Sequence, residues 1–145
     1  MDDIYNSKIL EFAANISAIG RLDAPDATAK AHSKLCGSTV TVDVSVNQGA
    51  VTAFAQDVKA CALGQAAASI IAKHIIGASP DEVRLARIQM FKMLKENGAA
   101  PDGHFEDLKY LLPVRDYKAR HASTLLTLDA LVDCLDQIEA QEKAA

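Results

Sequence analysis

Two cysteines stand at positions where a thiol could do chemistry. Cys61 follows a strand-like run and opens a segment rich in Ala and Ser, so we expect it at the start of a helix. A thiol there lies near free backbone N–H groups and the positive end of the helix dipole, which favours the thiolate. Lys59, two residues earlier, adds positive charge that favours the same form. The position predicts a reactive or metal-binding cysteine.

The second cysteine, Cys36, lies in a turn between two predicted strands. Gly37 follows it and permits a close approach of the backbone to a ligand. Pairing of the strands would bring this turn and Cys61 to one end of a small sheet. The alternative for both cysteines is burial as small apolar residues. We interpret Cys36 and Cys61 as a functional pair.

Composition narrows the class of protein. The 145 residues fit one domain, spanning 1–145, with a core large enough to fold without a disulfide or a metal. A net charge of -4 excludes a nucleic-acid binder, because phosphate binding needs concentrated Lys and Arg. No apolar run is long enough to span a membrane, and the N-terminus lacks the pattern of a signal peptide. We expect a cytoplasmic protein with reduced thiols.

The first half of the chain predicts a helix followed by a sheet. Apolar residues recur at helical spacing over residues 4–19, and Gly20 supplies a stop. Alternating patterns then predict three strands, at residues 28–35, 39–46 and 51–58. Residues 47–49, Asn-Gln-Gly, form a tight turn between the last two strands. These elements predict a three-stranded antiparallel meander.

Helices dominate the second half. The small residues after Cys61, including Gly64, predict a helix that packs closely on the sheet and ends near Gly77. A capping box at residues 79–82 opens a helix to about residue 97. A short helix at residues 105–112 and a long helix that starts at Pro113 follow, and the tail from residue 141 should fray. The fold class is therefore α+β, with the sheet packed against an N-terminal helix and several C-terminal helices.

The order of these elements and their motifs resemble a known family. The chain resembles the IscU/NifU-type iron-sulfur cluster assembly scaffolds in four features: Cys36-Gly37 in the first turn, Cys61 before a small-residue helix, residues 22–26 before the first strand, and residues 113–115 leading to Arg120. The resemblance covers nearly the whole chain and is to the NifU N-terminal-like domain. The long interval after Cys61 is similar to the SUF-type, or SufU-like, branch. The resemblance implies an IscU/SufU-like fold and a role in iron-sulfur cluster assembly.

The ligand pattern of this sequence differs from that of the family. Members of the family that this chain resembles bind metal through a Cys-Gly-Asp segment, the cysteine at the helix start and a third cysteine near the start of the last helix. Here Ser38 replaces the Asp, and Ser123 stands where the third cysteine is expected. Arg120 falls on the family's usual arginine, and His121 is close enough in sequence to supply a nitrogen ligand. Ser38, His121 and Ser123 are therefore secondary metal-ligand candidates.

The remaining cysteine cannot complete this set. Cys134 lies eleven residues after Ser123, about 16 Å along a helix axis. We expect it to serve as a buried apolar residue on the face that carries Leu131 and Ile138. Two of the family's four ligands, Cys36 and Cys61, are thus retained.

The resemblance and the retained pair predict a scaffold-like protein that binds iron or a [2Fe-2S] cluster through Cys36 and Cys61, bridged across a homodimer. Gly37, Lys59 and Arg120 would support the ligands. One alternative is a zinc-binding sulfur acceptor for a cysteine desulfurase. Another is a metal-free regulatory module that binds the assembly machinery. In each case the partners are a cysteine desulfurase and other iron-sulfur assembly proteins, with no nucleic acid or membrane, and no enzyme motif predicts a catalytic residue.

Overall fold

The computed structural model describes residues 6–35 and 37–144. The predicted α+β fold is confirmed: a three-stranded antiparallel sheet packs with an N-terminal helix and several C-terminal helices. In chain order the elements are α1 (Ser7–Ala14), β1 (Ala27–His32), β2 (Thr39–Asn47), β3 (Ala50–Lys59), α2 (Ala62–His74), α3 (Pro80–Lys95), two 3₁₀ segments (Gly103–Asp116 and Lys118–Arg120) and α4 (His121–Ala144). None of the helices in these ranges is long and apolar enough to cross a membrane.

The sheet has the predicted order β1-β2-β3, with both pairs antiparallel. The central strand β2 buries Val40, Val42 and Val44, as its alternating pattern predicts. Gln48 and Gly49 form the hairpin turn with φ values of 53° and 76°. Positive φ at both central residues matches the right-handed twist of the paired strands, so the predicted turn between β2 and β3 is also confirmed.

A buried carboxylate fixes the loop that leads into the sheet. Asp43 of β2 has a fully buried side chain, and its oxygens accept hydrogen bonds from Arg21 Nε at 2.7 Å, Leu22 N at 2.9 Å and Thr28 Oγ1 at 2.6 Å. The Arg21 guanidinium, by its hydrogen bond, is the main cause that lowers the pKa of Asp43 to about 2. Asp43 therefore holds the start of the 22–26 motif against the sheet.

The first helix is shorter than predicted. It begins after Asn6, whose Oδ1 accepts a hydrogen bond from Ile9 N, and it ends at Ala14 instead of residue 19. Residues 18–20 instead follow the edge of β3, where Gln56 N donates to the Ala18 carbonyl and Gly20 N donates to the Gln56 carbonyl, both at 2.9 Å. Hydrogen bonds to a sheet edge thus replace the last turns of the predicted helix. The predicted start at residue 4 lies outside the described residues.

The first strand also ends before its predicted end at residue 35. β1 stops at His32, and the backbone then turns so that Ser33 N donates to the Ser38 carbonyl at 2.9 Å. Leu35, expected on the buried face, is 77% exposed. The turn therefore starts earlier than the alternation of residue types indicates.

The helix α2 lies at the centre of the helical layer. It contacts α1, α4 and the longer 3₁₀ segment, and its side chains Leu63, Ala66, Ala67, Ile70 and Ile71 are buried. The sequence predicts that this helix packs closely on the sheet, but its small side chains lie mainly against the neighbouring helices, and of the strands β3 contacts it most. α2 follows β3 directly in the chain and packs against α4, so it links the sheet to the last helix.

The capping box that opens α3 is confirmed. Ser79 Oγ accepts from Glu82 N at 3.1 Å, and Glu82 Oε1 accepts from Ser79 N at 2.9 Å. The helix ends at Lys95, with Asn97 at a φ of 54° just beyond it. The predicted boundaries of α3 thus agree with the structure to within about two residues.

The last helix begins later than predicted. Pro113 lies inside the 3₁₀ segment, which also contains the predicted short helix, and α4 begins only at His121. Arg115 fixes this irregular segment to the end of α3, since its guanidinium donates to the Met93 and Gly98 carbonyls, both at 2.7 Å. At the other end α4 continues to Ala144, so the predicted fraying from residue 141 is wrong for residues 141–144.

Candidate functional site

Cys61 occupies the N-cap of α2, one residue before the first turn. Its φ and ψ of -67° and 172° are extended, and its carbonyl accepts from Gln65 N at 2.9 Å. Its side chain makes no capping hydrogen bond and is partly exposed. The backbone therefore starts the helix, while the thiol remains available for other contacts.

Ser123 is the side chain that meets this thiol. It lies in the first turn of α4, is buried, and places its Oγ 3.6 Å from Cys61 Sγ. Its hydroxyl also donates to the Arg120 carbonyl at 3.2 Å. The structure thus brings together two of the predicted site residues, which are 62 positions apart in the chain.

The distance between Cys61 Sγ and Ser123 Oγ is close to the distance between two ligand atoms on one metal ion. With zinc–sulfur bonds of about 2.3 Å in tetrahedral geometry, two thiolates on one ion lie about 3.8 Å apart. The observed 3.6 Å is close to that value. The chemistry does not match as well, because a neutral hydroxyl is a poor ligand for iron or zinc compared with a thiolate or carboxylate.

The turn after β1 reaches the same end of the sheet. Thr39 at the start of β2 pairs with Lys59 at the end of β3, so Gly37 and Ser38, just before β2, lie at the same end of the sheet as the residues that lead into α2. Gly37 has a φ of 68°, in the left-handed region that favours glycine, and Ser38 is buried. Cys36 lies outside the described residues, so the pairing of Cys36 with Cys61 stays a prediction.

His121 is engaged in a hydrogen-bond network. The side chain is buried, and its Nε2 lies 3.1 Å from the Val114 carbonyl and 2.8 Å from the Arg115 carbonyl. Its Nδ1 lies 3.2 Å from Lys95 Nζ. The ammonium group can only donate, so Nδ1 accepts and Nε2–H donates. His121 would have to give up one of these contacts before it could bind a metal.

The two basic candidates line the same region without an ion pair. Lys59 is exposed at the end of β3, and Arg120 is partly exposed in the 3₁₀ segment before α4. Within residues 6–35 and 37–144 neither side chain forms a salt bridge. Their charges are thus not neutralised by a described carboxylate.

Cys134 is a core residue, as predicted. Its side chain is fully buried in α4, and its Sγ lies 3.6 Å from the Val42 carbonyl of β2. Burial raises the pKa of this thiol to about 12. It therefore contributes packing and does not belong to the site.

The described side chains do not form a group of metal ligands. Among the described residues, no three His, Cys, Asp or Glu side chains are grouped so that they could hold a metal ion. The candidate site is therefore the contact of the Cys61 thiol with the Ser123 hydroxyl, and the turn that carries Ser38 lies at the same end of the sheet as the start of α2.

Residues 4–123 match the sequence profile of the NifU-like N-terminal domain, which is well over half of the 145 residues. The chain belongs to this family. The family predicted from the cysteine motifs is thus confirmed, and with it the membership of the chain among the IscU, NifU and SufU scaffolds of iron-sulfur cluster assembly.

Individual relatives agree with this assignment. The iron-sulfur cluster assembly scaffold protein IscU of Thermotoga maritima is 23% identical over 135 residues, covering 93% of this chain and 94% of its own length. The crystal structure of a NifU-like N-terminal protein from Brucella abortus is 64% identical, with a TM-score of 0.94 and 96% of each chain covered. A putative SUF-system scaffold from Fervidobacterium islandicum is 18% identical, with a TM-score of 0.84 over 91% of this chain and 96% of its own, and shares the fold.

Two residues of the site within this NifU-like domain were missed by sequence reasoning. Lys95 holds His121, and no local pattern links the end of α3 to the start of α4. Gly64, which the sequence indicates only as a small packing residue of α2, lies directly against Ser123. Its position one turn after Cys61 is the signal that could have identified it.

Proposed function

We propose that this NifU-like domain is a scaffold of iron-sulfur cluster assembly, not an enzyme, and that Cys36 and Cys61 are its iron ligands. Its cargo would be iron or a [2Fe-2S] cluster. Two thiolates from each of two molecules would supply the four ligands of one shared cluster. A cysteine desulfurase and other assembly proteins would be its partners.

The convergence at Cys61 carries this proposal. A partly exposed thiol at a helix N-terminus meets the first turn of α4 with a ligand-like separation of 3.6 Å. The turn before β2 approaches the same place through the pairing of Thr39 with Lys59. These are the three segments that supply ligands in the family that the chain belongs to.

The number of thiolates supports the bridged form. Of the ligand positions discussed above, Ser38 and Ser123 carry hydroxyls, and both ring nitrogens of His121 have partners. One molecule therefore offers two cysteines, and a cluster with four thiolate ligands would need two molecules.

Anaerobic reconstitution with ferrous iron and sulfide tests this proposal. We expect the absorption bands of a [2Fe-2S] cluster and, by native mass spectrometry, one cluster per dimer. Cys61→Ser should abolish the cluster, whereas Cys134→Ser, which removes a thiol from the core, should leave its yield unchanged. Absence of a cluster would contradict the scaffold role, and a cluster on the monomer would contradict the bridged form.

A metal-free regulatory module is the second candidate, and the neutral hydroxyls at two ligand positions favour it. In that case the fold alone would bind the desulfurase. The variant Cys36→Ser/Cys61→Ser separates the two functions. Unchanged binding to a cysteine desulfurase and unchanged function in cells would support the module. Loss of cellular function with binding retained would support the scaffold.

Zinc is the alternative metal, in a sulfur acceptor for the desulfurase. Metal analysis of protein isolated without oxygen distinguishes zinc from iron. Persulfide labelling after incubation with a desulfurase and cysteine then shows whether Cys61 accepts sulfur. A zinc-loaded protein with persulfide on Cys61 would replace the iron scaffold as the function.

A further inference from the structure

The start of α2 and the start of α4 touch at Gly64. This glycine lies one helical turn after Cys61, on the side of α2 that faces Ser123. A Cβ added at Gly64 would lie 3.2 Å from the Ser123 carbonyl oxygen and 3.7 Å from its Cβ. The backbones of the two helices approach this closely because residue 64 has no side chain.

The same Cβ would also lie 2.8 Å from the Cβ of Ala60. An ordinary contact starts at about 3.4 Å, so an alanine at position 64 requires a displacement of about 0.6 Å. Ala60 precedes Cys61 directly, and Ser123 bears the hydroxyl that meets its thiol. A side chain at position 64 would therefore displace Ser123 itself and Ala60, the residue next to Cys61.

The hydroxyl at position 123 suits a partner for a thiol. While its hydrogen is donated to the Arg120 carbonyl, its lone pairs can accept the S–H of Cys61. Rotation of the hydroxyl directs the same hydrogen to the sulfur. Ser123 can therefore hold Cys61 in one orientation, provided that the distance between Sγ and Oγ is maintained.

We propose that Gly64 is a positioning residue that sets the separation between Cys61 and residue 123. It acts through the packing of α2 against α4 and touches no ligand itself. This inference rests on the proposed function only in taking Cys61 as the working thiol. Its geometric content holds whether the domain carries iron, zinc or no metal.

Disulfide capture measures this separation directly. In a parent carrying Cys36→Ser and Ser123→Cys, Cys61 faces a second thiol, and equilibration with reduced and oxidised glutathione gives the effective concentration of the pair. Gly64→Ala in this parent should lower the effective concentration about tenfold, since a misplacement of about 1 Å costs about a hundredfold in reactions between positioned groups. Ala72→Gly, further along α2 and partly exposed, is the control for a general loss of helix stability.

The comparison of Gly64→Ala with Ala72→Gly decides whether Gly64 positions Cys61 and residue 123. A decrease of at least about fivefold with Gly64→Ala, and of less than about twofold with Ala72→Gly, supports the inference. Equal decreases in the two variants, or no decrease with Gly64→Ala, overturn it. If Gly64→Ala does not fold by circular dichroism, Ala60→Gly/Gly64→Ala takes its place, because it removes the 2.8 Å contact and keeps the contact with Ser123. Iron and sulfide are absent from this assay, so its result is independent of cluster binding.

Discussion

Replacing Ser123 by cysteine should add a thiolate ligand for a metal next to Cys61, which the natural sequence lacks at this position. In Ser123→Cys the new sulfur would start from an oxygen position 3.6 Å from Cys61 Sγ, whereas two thiolates on one zinc ion lie about 3.8 Å apart. Only a small adjustment of the side chain is needed. Ser123 is buried next to a backbone carbonyl, so the thiolate would also be partly shielded from water.

The magnitude follows from the usual worth of a zinc ligand. Structural zinc sites with four ligands bind with about 10–16 kcal/mol, or about 2.5–4 kcal/mol per ligand. Every 1.4 kcal/mol is a factor of about ten. We therefore expect Ser123→Cys to raise the affinity for zinc roughly 100-fold to 1,000-fold over the natural sequence.

Competition with a chelating dye, under argon and with a phosphine reductant, measures this affinity. Cobalt substitution adds a second readout, because each thiolate contributes to the sulfur-to-cobalt charge-transfer band. Thr127→Cys is the matched control: it adds a buried thiol one turn further along α4, about 6 Å from position 123. An increase of less than about threefold in Ser123→Cys, or an equal increase in Thr127→Cys, would refute the geometric reasoning.

Three further predictions concern the groups that support the site and the core. The pKa of Asp43 is lowered to about 2 from 3.8, so its charge stabilises the fold above pH 3.8, and this contribution is lost as the pH falls to 2. Asp43→Asn should therefore lower the unfolding free energy at pH 7 by about 1.5–3 kcal/mol. In urea melts of this variant, the unfolding free energy should depend less on pH between pH 4 and 2. Because its pKa is about 12, native Cys134 should react with iodoacetamide at pH 8 about 1,000-fold more slowly than in the urea-unfolded chain, by mass spectrometry; comparable rates would contradict its burial. His121→Ala removes the donor to two backbone carbonyls and should cost about 2–3 kcal/mol in urea melts, whereas a change below about 0.5 kcal/mol would contradict the network.

Local sequence patterns predicted the sheet and α3 because the residues that determine these elements lie close together in the chain. The alternation of Val40, Val42 and Val44 fixes which face of β2 is buried, and positive φ at Gln48 and Gly49 makes the turn. Ser79 and Glu82 satisfy each other within one helical turn. Each of these features depends on residues that are neighbours in the chain.

The errors lie where distant contacts decide the backbone. The first helix ends early because residues 18–20 pair with Gln56, which is more than thirty positions away. The last helix starts late because Arg115 binds carbonyls at the end of α3. Periodicity in a window of residues contains no information about either contact.

In the candidate site, too, some features could be predicted from the sequence and others could not. The motif around Cys61 and the matching of Ser123 to the family's ligand position were available from the sequence, and the structure brings these two side chains together. The engagement of His121 by Lys95 and the contact of Gly64 with Ser123 were not, since each joins residues from different helices. Sequence therefore indicated two side chains that lie in contact, Cys61 and Ser123, whereas tertiary packing determines the hydrogen bonds that engage His121.

The contact between Cys61 and Ser123 lies where α2 packs against α4. Gly64 lets the helices approach, and Leu63 of α2 and Leu126 of α4 are buried in the main core. A thiolate pair bound to a metal could supply the same link between α2 and α4, because a structural metal contributes its binding energy to folding. In this chain apolar burial and a hydroxyl–thiol contact also link the two helices. A serine at position 123 is therefore compatible with the close packing of α2 and α4, and the thiol of Cys61 stays partly exposed.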